Sequence, residues 1–325
     1  MTATLKPQRL PRLRSRQRGA ALLTAMIIVT LVVTLASSMV WQQWRAVQVE
    51  QAERARTQAA WILSGALDFA RLILKEDLKS GRPTALTEPW ATPLAEARLS
   101  TFLAADGSSN ADDGPEAFLS GSIADAQARY NLSNLVTADG KIDPEEFATL
   151  ERLCTAIGMD SAVPQRIAGS MRDATNPGTV PNANAPLLPQ SVAQLSWLGL
   201  DAATIAVLET VVVLLPASTP VNINTASREV LVGAIKGLDL ATAERILQIR
   251  QRTPFKTLQL FYDQVPTLMP LTAKLDVKSS FFEVRGKLRL ADRVLVERSL
   301  VHRLPNGEIR VLRRDRVASL EQVAS

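Results

Sequence analysis

His302 and Cys154 are the only histidine and the only cysteine among 325 residues, and that scarcity removes most side-chain chemistry at once. A zinc site needs three or four His, Cys or carboxylate ligands, and a lone imidazole anchors none of the common sets. A Ser-His-Asp hydrolase would have to be built on the same imidazole, and no Gly-x-Ser-x-Gly elbow accompanies it. The single thiol cannot form an intrachain disulfide, and its apolar helical surroundings read as core packing. Acids do cluster in the run from Asp106 to Asp113, but without EF-hand spacing, so a solvated loop is expected there. Asp143, Glu145 and Glu146 flank Pro144 and read as a helix start. Asp143 would be the N-cap, Pro144 the first helical residue, and Glu146 the return arm of a capping box. These residues predict no catalytic set, no cofactor and no metal.

The elements that carry them begin with an apolar stretch. From Ala20 to Val40 no charge occurs over 21 positions, enough for a helix to cross a hydrocarbon core of roughly 30 Å. Before it stand Lys6, Arg9, Arg12, Arg14, Arg16 and Arg18 with no acid, which orients the N-terminus to the cytoplasm and the bulk of the chain across the membrane. A cleaved secretory signal, with Ala36 and Ser38 as small cleavage-site residues, is one reading, but its apolar region is usually only ~7–15 residues. A plain single-pass anchor is a second. The helical period then continues through Trp41, Trp44, Val47, Ala55, Ala59, Ile62, Ala66, Phe69 and Ile73. Trp41 and Trp44 fall where an aromatic belt would meet the headgroups.

The sequence pI of about 9.6 suggests a polyanion partner only until the leader is set aside. Thirty-seven basic residues lose six with the leader, leaving 31 against 32 acids. A nucleic-acid role thereby loses its simplest support.

The junction of a basic leader, Gly19 and an unbroken apolar helix resembles the type IV pilin and pseudopilin class. That resemblance implies cleavage by a prepilin peptidase after Gly19, with Ala20 as the N-methylated mature end. Most members carry glutamate at the fifth mature position, where this chain has Thr24. A buried carboxylate is tolerable only beside a neutralising neighbour, so Thr24 suits a subunit at a filament end, where one neighbour is missing.

A second stretch, Asp125 with Arg129-Tyr130-Asn131-Leu132-Ser133-Asn134-Leu135, is similar to the minor pseudopilin K family of type II secretion, with Ala128 in place of the usual glycine. Asn131 and Asn134 suit a strand end, where amides satisfy freed backbone groups. The family's calcium-associated neighbourhood is poorly matched. Asp173 is its only acid here, beside the neutral Asn176, Asn182 and Asn184, so no calcium site is carried over.

A helix is expected from Pro144 until Gly158 stops it, with Phe147, Leu150, Leu153 and Ile157 as the apolar stripe, and others at about Ser161–Met171, Pro189–Leu198 and, after Asp201 as N-cap, Ala202–Leu214. Pro220-Val221-Asn222-Ile223-Asn224-Thr225-Ala226, with Gly237-Leu238-Asp239 following, resembles a helix-hairpin-helix unit. Such a unit binds DNA by aiming backbone N–H groups at a phosphate. Here Asp239 puts a carboxylate where the phosphate would come, and Lys236 and Arg245 offset it only in part. A packing unit is therefore expected. Phe281–Leu290, Arg293–Arg303 and Ile309–Arg314 read as strands, with Pro305-Asn306-Gly307 as a hairpin turn. Arg310, Arg313, Arg314 and Arg316 read as a solvated edge.

The expected fold is α+β: a long N-terminal transmembrane helix on an antiparallel sheet, with a large helical, helix-hairpin-helix (SAM-like) insertion. The divisions expected are leader 1–19, long helix 20–80, first strands 81–139, inserted helices 140–272 and returning strands 273–325. The resemblance implies a non-enzymatic minor pseudopilin of type II secretion at the tip of the periplasmic pseudopilus, in the inner membrane with its bulk in the periplasm. Implied partners are minor pseudopilins I and J, the major pseudopilin, the prepilin peptidase and the inner-membrane assembly platform. The alternative is a membrane-tethered helix-hairpin-helix protein of DNA uptake.

Overall fold

The computed structural model describes residues 18–99, 117–175, 186–268, 274–290 and 293–317. The chain divides into two bodies, residues 1–58 and 59–325. Helix α1, Arg18–Lys79, contributes to both.

In the first body the apolar run of α1, residues 20–40, is exposed along its whole length, as a membrane-crossing helix is before lipid covers it. Four of its hydroxyls are satisfied internally, that of Thr24 among them. Thr30 and Thr34 each return a hydroxyl to the carbonyl three residues back at 2.9 Å, and Ser38 does so at 2.8 Å. In hydrocarbon such back-bonding replaces the water these groups would otherwise need. The Trp41 and Trp44 rings lie 5.4 Å apart.

In the second body α1 buries Ala59, Leu63, Leu67, Ala70 and Leu74, a stripe at steps of three and four. It packs on a five-stranded antiparallel sheet in the order β1 (Leu94–Arg98), β2 (Ala117–Asp125), β7 (Phe281–Leu290), β8 (Arg293–Arg303), β9 (Ile309–Val317). Phe282, Val284, Val301 and Ile309 meet Leu67, Ala70 and Leu74 in one cluster. Trp90, in a short 3-10 turn, sets its ring edge-on to Phe282 at 5.4 Å. Gly121 and Gly286 face each other in register. A Cβ on Gly286 would sit 3.1 Å from Leu63 Cδ2, and one on Gly121 would sit 2.9 Å from the Arg285 carbonyl oxygen. Small residues there let helix and strands close up.

Between β2 and β7 the chain leaves the sheet for a mostly helical body. Its elements are β3 (Tyr130–Asn131), α2 (Pro144–Ala156), α3 (Ala162–Thr175), a 3-10 stretch Val192–Leu198, α4 (Ala202–Leu208), β4 (Val212–Val213), β5 (Val221–Asn222), α5 (Arg228–Ala234), α6 (Leu240–Arg252), α7 (Leu258–Tyr262) and β6 (Leu275–Asp276). Two short parallel pairs, β3 with β4 and β5 with β6, tie it at the base. One core cluster fills it, with Leu132, Leu150, Ile167, Leu195, Ile223 and Ile246 fully buried. A Cβ on Gly233 would approach Leu153 Cβ to 2.7 Å, so α5 and α2 touch almost backbone to backbone.

Two expected helices are shorter than their patterns. The run Ala202–Leu214 stays helical only to Leu208, because the valines from Val211 to Val213 favour extended backbone and find Tyr130–Asn131 to pair with. The stretch Pro189–Leu198 begins only at Val192 and is 3-10, with an extended Ser191 before it and Gly199 (φ +79°) ending it.

Candidate functional site at the root of the inserted helices

Asp125 ends β2, and its carboxylate is where the sheet and the inserted body are fastened together. Its Oδ2 accepts from Thr225 Oγ1 and Ser279 Oγ, both at 2.6 Å, and from Asn222 Nδ2 at 2.9 Å. Its Oδ1 accepts the Gln127 N–H at 2.8 Å. All four donors are neutral. Burial therefore pushes the Asp125 carboxyl above the usual range, and the four hydrogen bonds pull it only part of the way back. The arrangement locks together the end of β2, the β5 loop and the approach to β7.

Asparagines complete the lock by imitating backbone. Asn222, fully buried, also donates to the Thr84 carbonyl at 3.0 Å and accepts the Asn224 N–H at 2.9 Å. Asn224 exchanges two 2.9 Å bonds with the Phe255 backbone, pinning the end of α6 to β5. Asn131 accepts from the N–H groups of Ser133 and Leu215 and donates to the Ala217 carbonyl at 2.7 Å. Asn134 donates to the Thr219 carbonyl at 2.9 Å and accepts the Thr219 N–H at 3.0 Å. Residues 215–219, which have no strand partner, are held by these two amides.

On the sheet side, buried Arg303 clamps the end of α1. It pairs with Asp77 Oδ2 at 2.5 Å, donates to the Ser279 carbonyl at 2.8 Å and to Thr84 Oγ1 at 3.0 Å, and lies 4.6 Å over the Phe282 ring. Asp77 Oδ1 is buried without a hydrogen-bond partner. Glu88 lies beside it, also buried, and accepts from Trp90 Nε1 at 3.0 Å. Burial, and next to it the neighbouring Asp77 carboxylate, raise the Glu88 carboxyl above its ordinary value, against the pull of the Trp90 bond.

The residues singled out from the sequence fall in separate places. Gly19 and Ala20 lie in the first turn of α1, in the first body. Thr24 returns its hydroxyl to the carbonyls of Ala20 (3.0 Å) and Ala21 (2.9 Å). Asp125, Asn131 and Asn134 meet at the root. Cys154 is buried beside α2's apolar neighbours, and burial pushes its thiol up to about 11, too high for a nucleophile. His302 stacks on Phe281 at 4.2 Å, and burial and Arg310 hold its imidazole below the usual value. Among the described residues no three His, Cys, Asp or Glu group as a metal site. Asp173 is exposed and pairs with Arg172 at 2.8 Å, while the Asp106–Asp113 run and Asn176, Asn182 and Asn184 lie outside the described residues.

Glu146 corrects the capping-box expectation. Asp143 does cap α2, accepting the N–H of Glu145 at 3.0 Å and of Glu146 at 3.3 Å. The Asp143 N–H, however, goes to the Leu135 carbonyl. The buried Glu146 carboxylate turns inward instead, accepting the Tyr130 hydroxyl at 2.9 Å and pairing with Lys274 at 2.9 Å. Nothing local announces that partnership. Arg303 and Asp77 were equally hidden, since their contact joins the two ends of the chain.

The hairpin between α5 and α6 has the expected shape. Gly237 turns at φ +81°, and Asp239 caps α6 with bonds to the Thr242 N–H (2.8 Å) and hydroxyl (3.0 Å). Those bonds hold its carboxyl below the usual range, so a negative charge stands at the helix start where a phosphate would bind. Arg245 is turned to the Gln264 carbonyl. The hairpin is built for packing.

Two models of a family described as type II secretion system protein K match this chain, over residues 128–217 and 221–278. Both matches lie in the inserted body and its root. The type II secretion system protein K of Pseudomonas aeruginosa is 29% identical, covering 93% of this chain and 94% of that one. That of Pectobacterium carotovorum is 27% identical over 93% and 97%, and that of Klebsiella pneumoniae 29% over 77% and 80%. Among solved structures, the GspK-GspI-GspJ complex of the enterotoxigenic Escherichia coli type 2 secretion system shares the fold, with a TM-score of 0.64 at 21% identity, covering 83% of this chain and 99% of that one. Fold, inserted body and relatives matched over most of their length agree, and all of them liken the chain to the type II secretion system protein K family.

Proposed function

We propose that this minor pseudopilin sits at the tip of a periplasmic pseudopilus, anchored in the inner membrane by α1 until assembly and cut between Gly19 and Ala20 by a prepilin peptidase. Thr24 carries the reading. Its hydroxyl is satisfied by the helix's own carbonyls, so the side chain at this position needs no neutralising neighbour above or below. A carboxylate there would be tolerable only with such a partner. The partners are minor pseudopilins I and J, in keeping with the complex found for the structural relative, and the major pseudopilin and inner-membrane assembly platform complete the setting. On assembly the apolar half of α1 exchanges lipid for helix contacts, and the inserted body blocks addition of a further subunit. The work is assembly for protein export, and it requires no cofactor.

The test is the N-terminal mass of the protein extracted from membranes. A mature chain beginning at Ala20 with one added methyl is expected, and a chain beginning at Met1 or Met39 would overturn the reading. Deleting residues 140–272 should let subunits add beyond this one. Unchanged tip assembly would rule out the steric block.

A further inference from the structure

The outer face of the sheet, away from α1, carries an arrangement that the fold itself does not explain. Arg285 on β7 and Arg298 on β8 are register partners, so both side chains leave the same face of the sheet from neighbouring strands. Like charges directly opposite in an antiparallel pair are unfavourable. Among the described residues neither has an ion-pair or hydrogen-bond partner, although Asp315 is the register partner of Arg298 on its other side. Asp315 is taken by Arg313 at 2.6 Å.

Arg298 also lines a cleft of about 380 Å³ between this face and the inserted body. The cleft has an apolar floor of Val192, Val213 and Leu300, each buried. Its acidic lining is largely spent: Glu283 pairs with Arg129 at 2.9 Å, and Asp315 with Arg313. Arg298, with its register partner Arg285 beside it, remains against the single carboxylate of Glu209. The volume suits one or two side chains rather than a large ligand.

We propose that this cleft receives an acidic, extended polypeptide segment of a periplasmic partner, its carboxylate bridging Arg285 and Arg298 and an adjacent apolar side chain seated on Val192, Val213 and Leu300. The apolar floor argues against inorganic phosphate, which would leave it unused. A recess between two layers argues against a flat lipid surface. The site relieves the arginine pair only when filled, so the fold keeps a local repulsion that a partner cancels.

The test uses the full chain in non-ionic detergent micelles, with fluorescein-labelled acetyl-Glu-Leu-Glu-Leu-Glu-amide as probe and its lysine counterpart as control. The acidic peptide should bind with an affinity that weakens as salt rises, and the lysine peptide should not bind. Arg285→Gln with Arg298→Gln should weaken binding by about tenfold, two exposed charge pairs at a few-fold each. The same variant should melt at the wild-type temperature or above it, because a repulsion is gone. Arg285→Lys with Arg298→Lys should bind as wild type, and so should Arg310→Gln, whose guanidinium is already paired with Glu308 at 2.7 Å. No binding of the acidic peptide, unchanged binding by the double glutamine variant, or capture only by phosphatidylglycerol vesicles would each overturn the proposal.

Discussion

Replacing Asp125 by asparagine tests the physics of the root directly. The new amide group must occupy one of the two oxygen positions. At Oδ2 it would face Asn222 Nδ2, a donor that cannot turn into an acceptor without losing the Asn224 N–H. At Oδ1 it would face only the Gln127 N–H, so that orientation should win. One buried backbone donor is then orphaned, costing about 1–3 kcal/mol. Three charge-assisted bonds weaken to neutral ones, while the burial penalty of the carboxylate disappears and offsets part of the loss. A net cost of about 1–3 kcal/mol should lower the melting temperature by about 2–10 °C for a body of this size. The pH dependence is sharper. The Asp125 carboxyl is raised in the folded state by burial, so the unfolded chain ionises first as pH rises. Wild-type stability from this group is fully present below the ordinary carboxylate value and is lost as pH rises through the folded one. Asparagine has no such loss, so its cost relative to wild type should shrink as pH climbs through that window. Thermal unfolding of both proteins across the acid range, followed by fluorescence of buried Trp90, measures this. A cost that grows with pH would mean that the neutral donors stabilise the anion more than burial penalises it, and the reasoning would be refuted.

Other outcomes follow from the same structure. Thr24→Glu should move this chain from filament ends into the shaft, read as a rise in its ratio to the major pseudopilin in purified fibres. Gly233→Ala places a methyl 2.7 Å from Leu153 Cβ and should destabilise by about 1–3 kcal/mol through separation of α5 from α2, measurable by urea unfolding. Cys154, buried and with its thiol pushed up to about 11, should resist maleimide at pH 8 in the folded protein and label promptly once urea unfolds it.

Much of this molecule could be read locally. The charge-free run of α1, the N-caps Asp143, Asp201 and Asp239, and the turn at Gly307 are each set by neighbours a few residues away, and each stands as read. Asn131 and Asn134 were legible as backbone satisfiers, but not the loop they hold, because residues 215–219 are distant in sequence. Val211–Val213 shows the same limit. Its helix-compatible spacing yields to a strand only because Tyr130–Asn131 lies alongside. Glu146 obeyed the capping rule in type and place yet serves Tyr130 and Lys274. Arg303, read as one more residue of a C-terminal strand, meets Asp77 across 226 positions. Short-range chemistry fixed the elements. The polar contacts that join them depend on which chain ends the fold brings together.

The hydroxyl of Ser279 lies 2.6 Å from the carboxylate of Asp125, so the excursion from the sheet departs and returns through a single doorway. The strands on either side therefore feel little of the length of what hangs beyond that threshold, since closing a longer or shorter detour changes the chain entropy only slowly, while Phe281 and Leu300 still need apolar cover where Val213 and Leu215 now lie. A foreign module with adjacent termini, grafted between these two residues, should leave the five strands aligned. Payloads on such a shaft are exchangeable in principle, provided the substitute keeps the latch of hydroxyls and amides at the doorway.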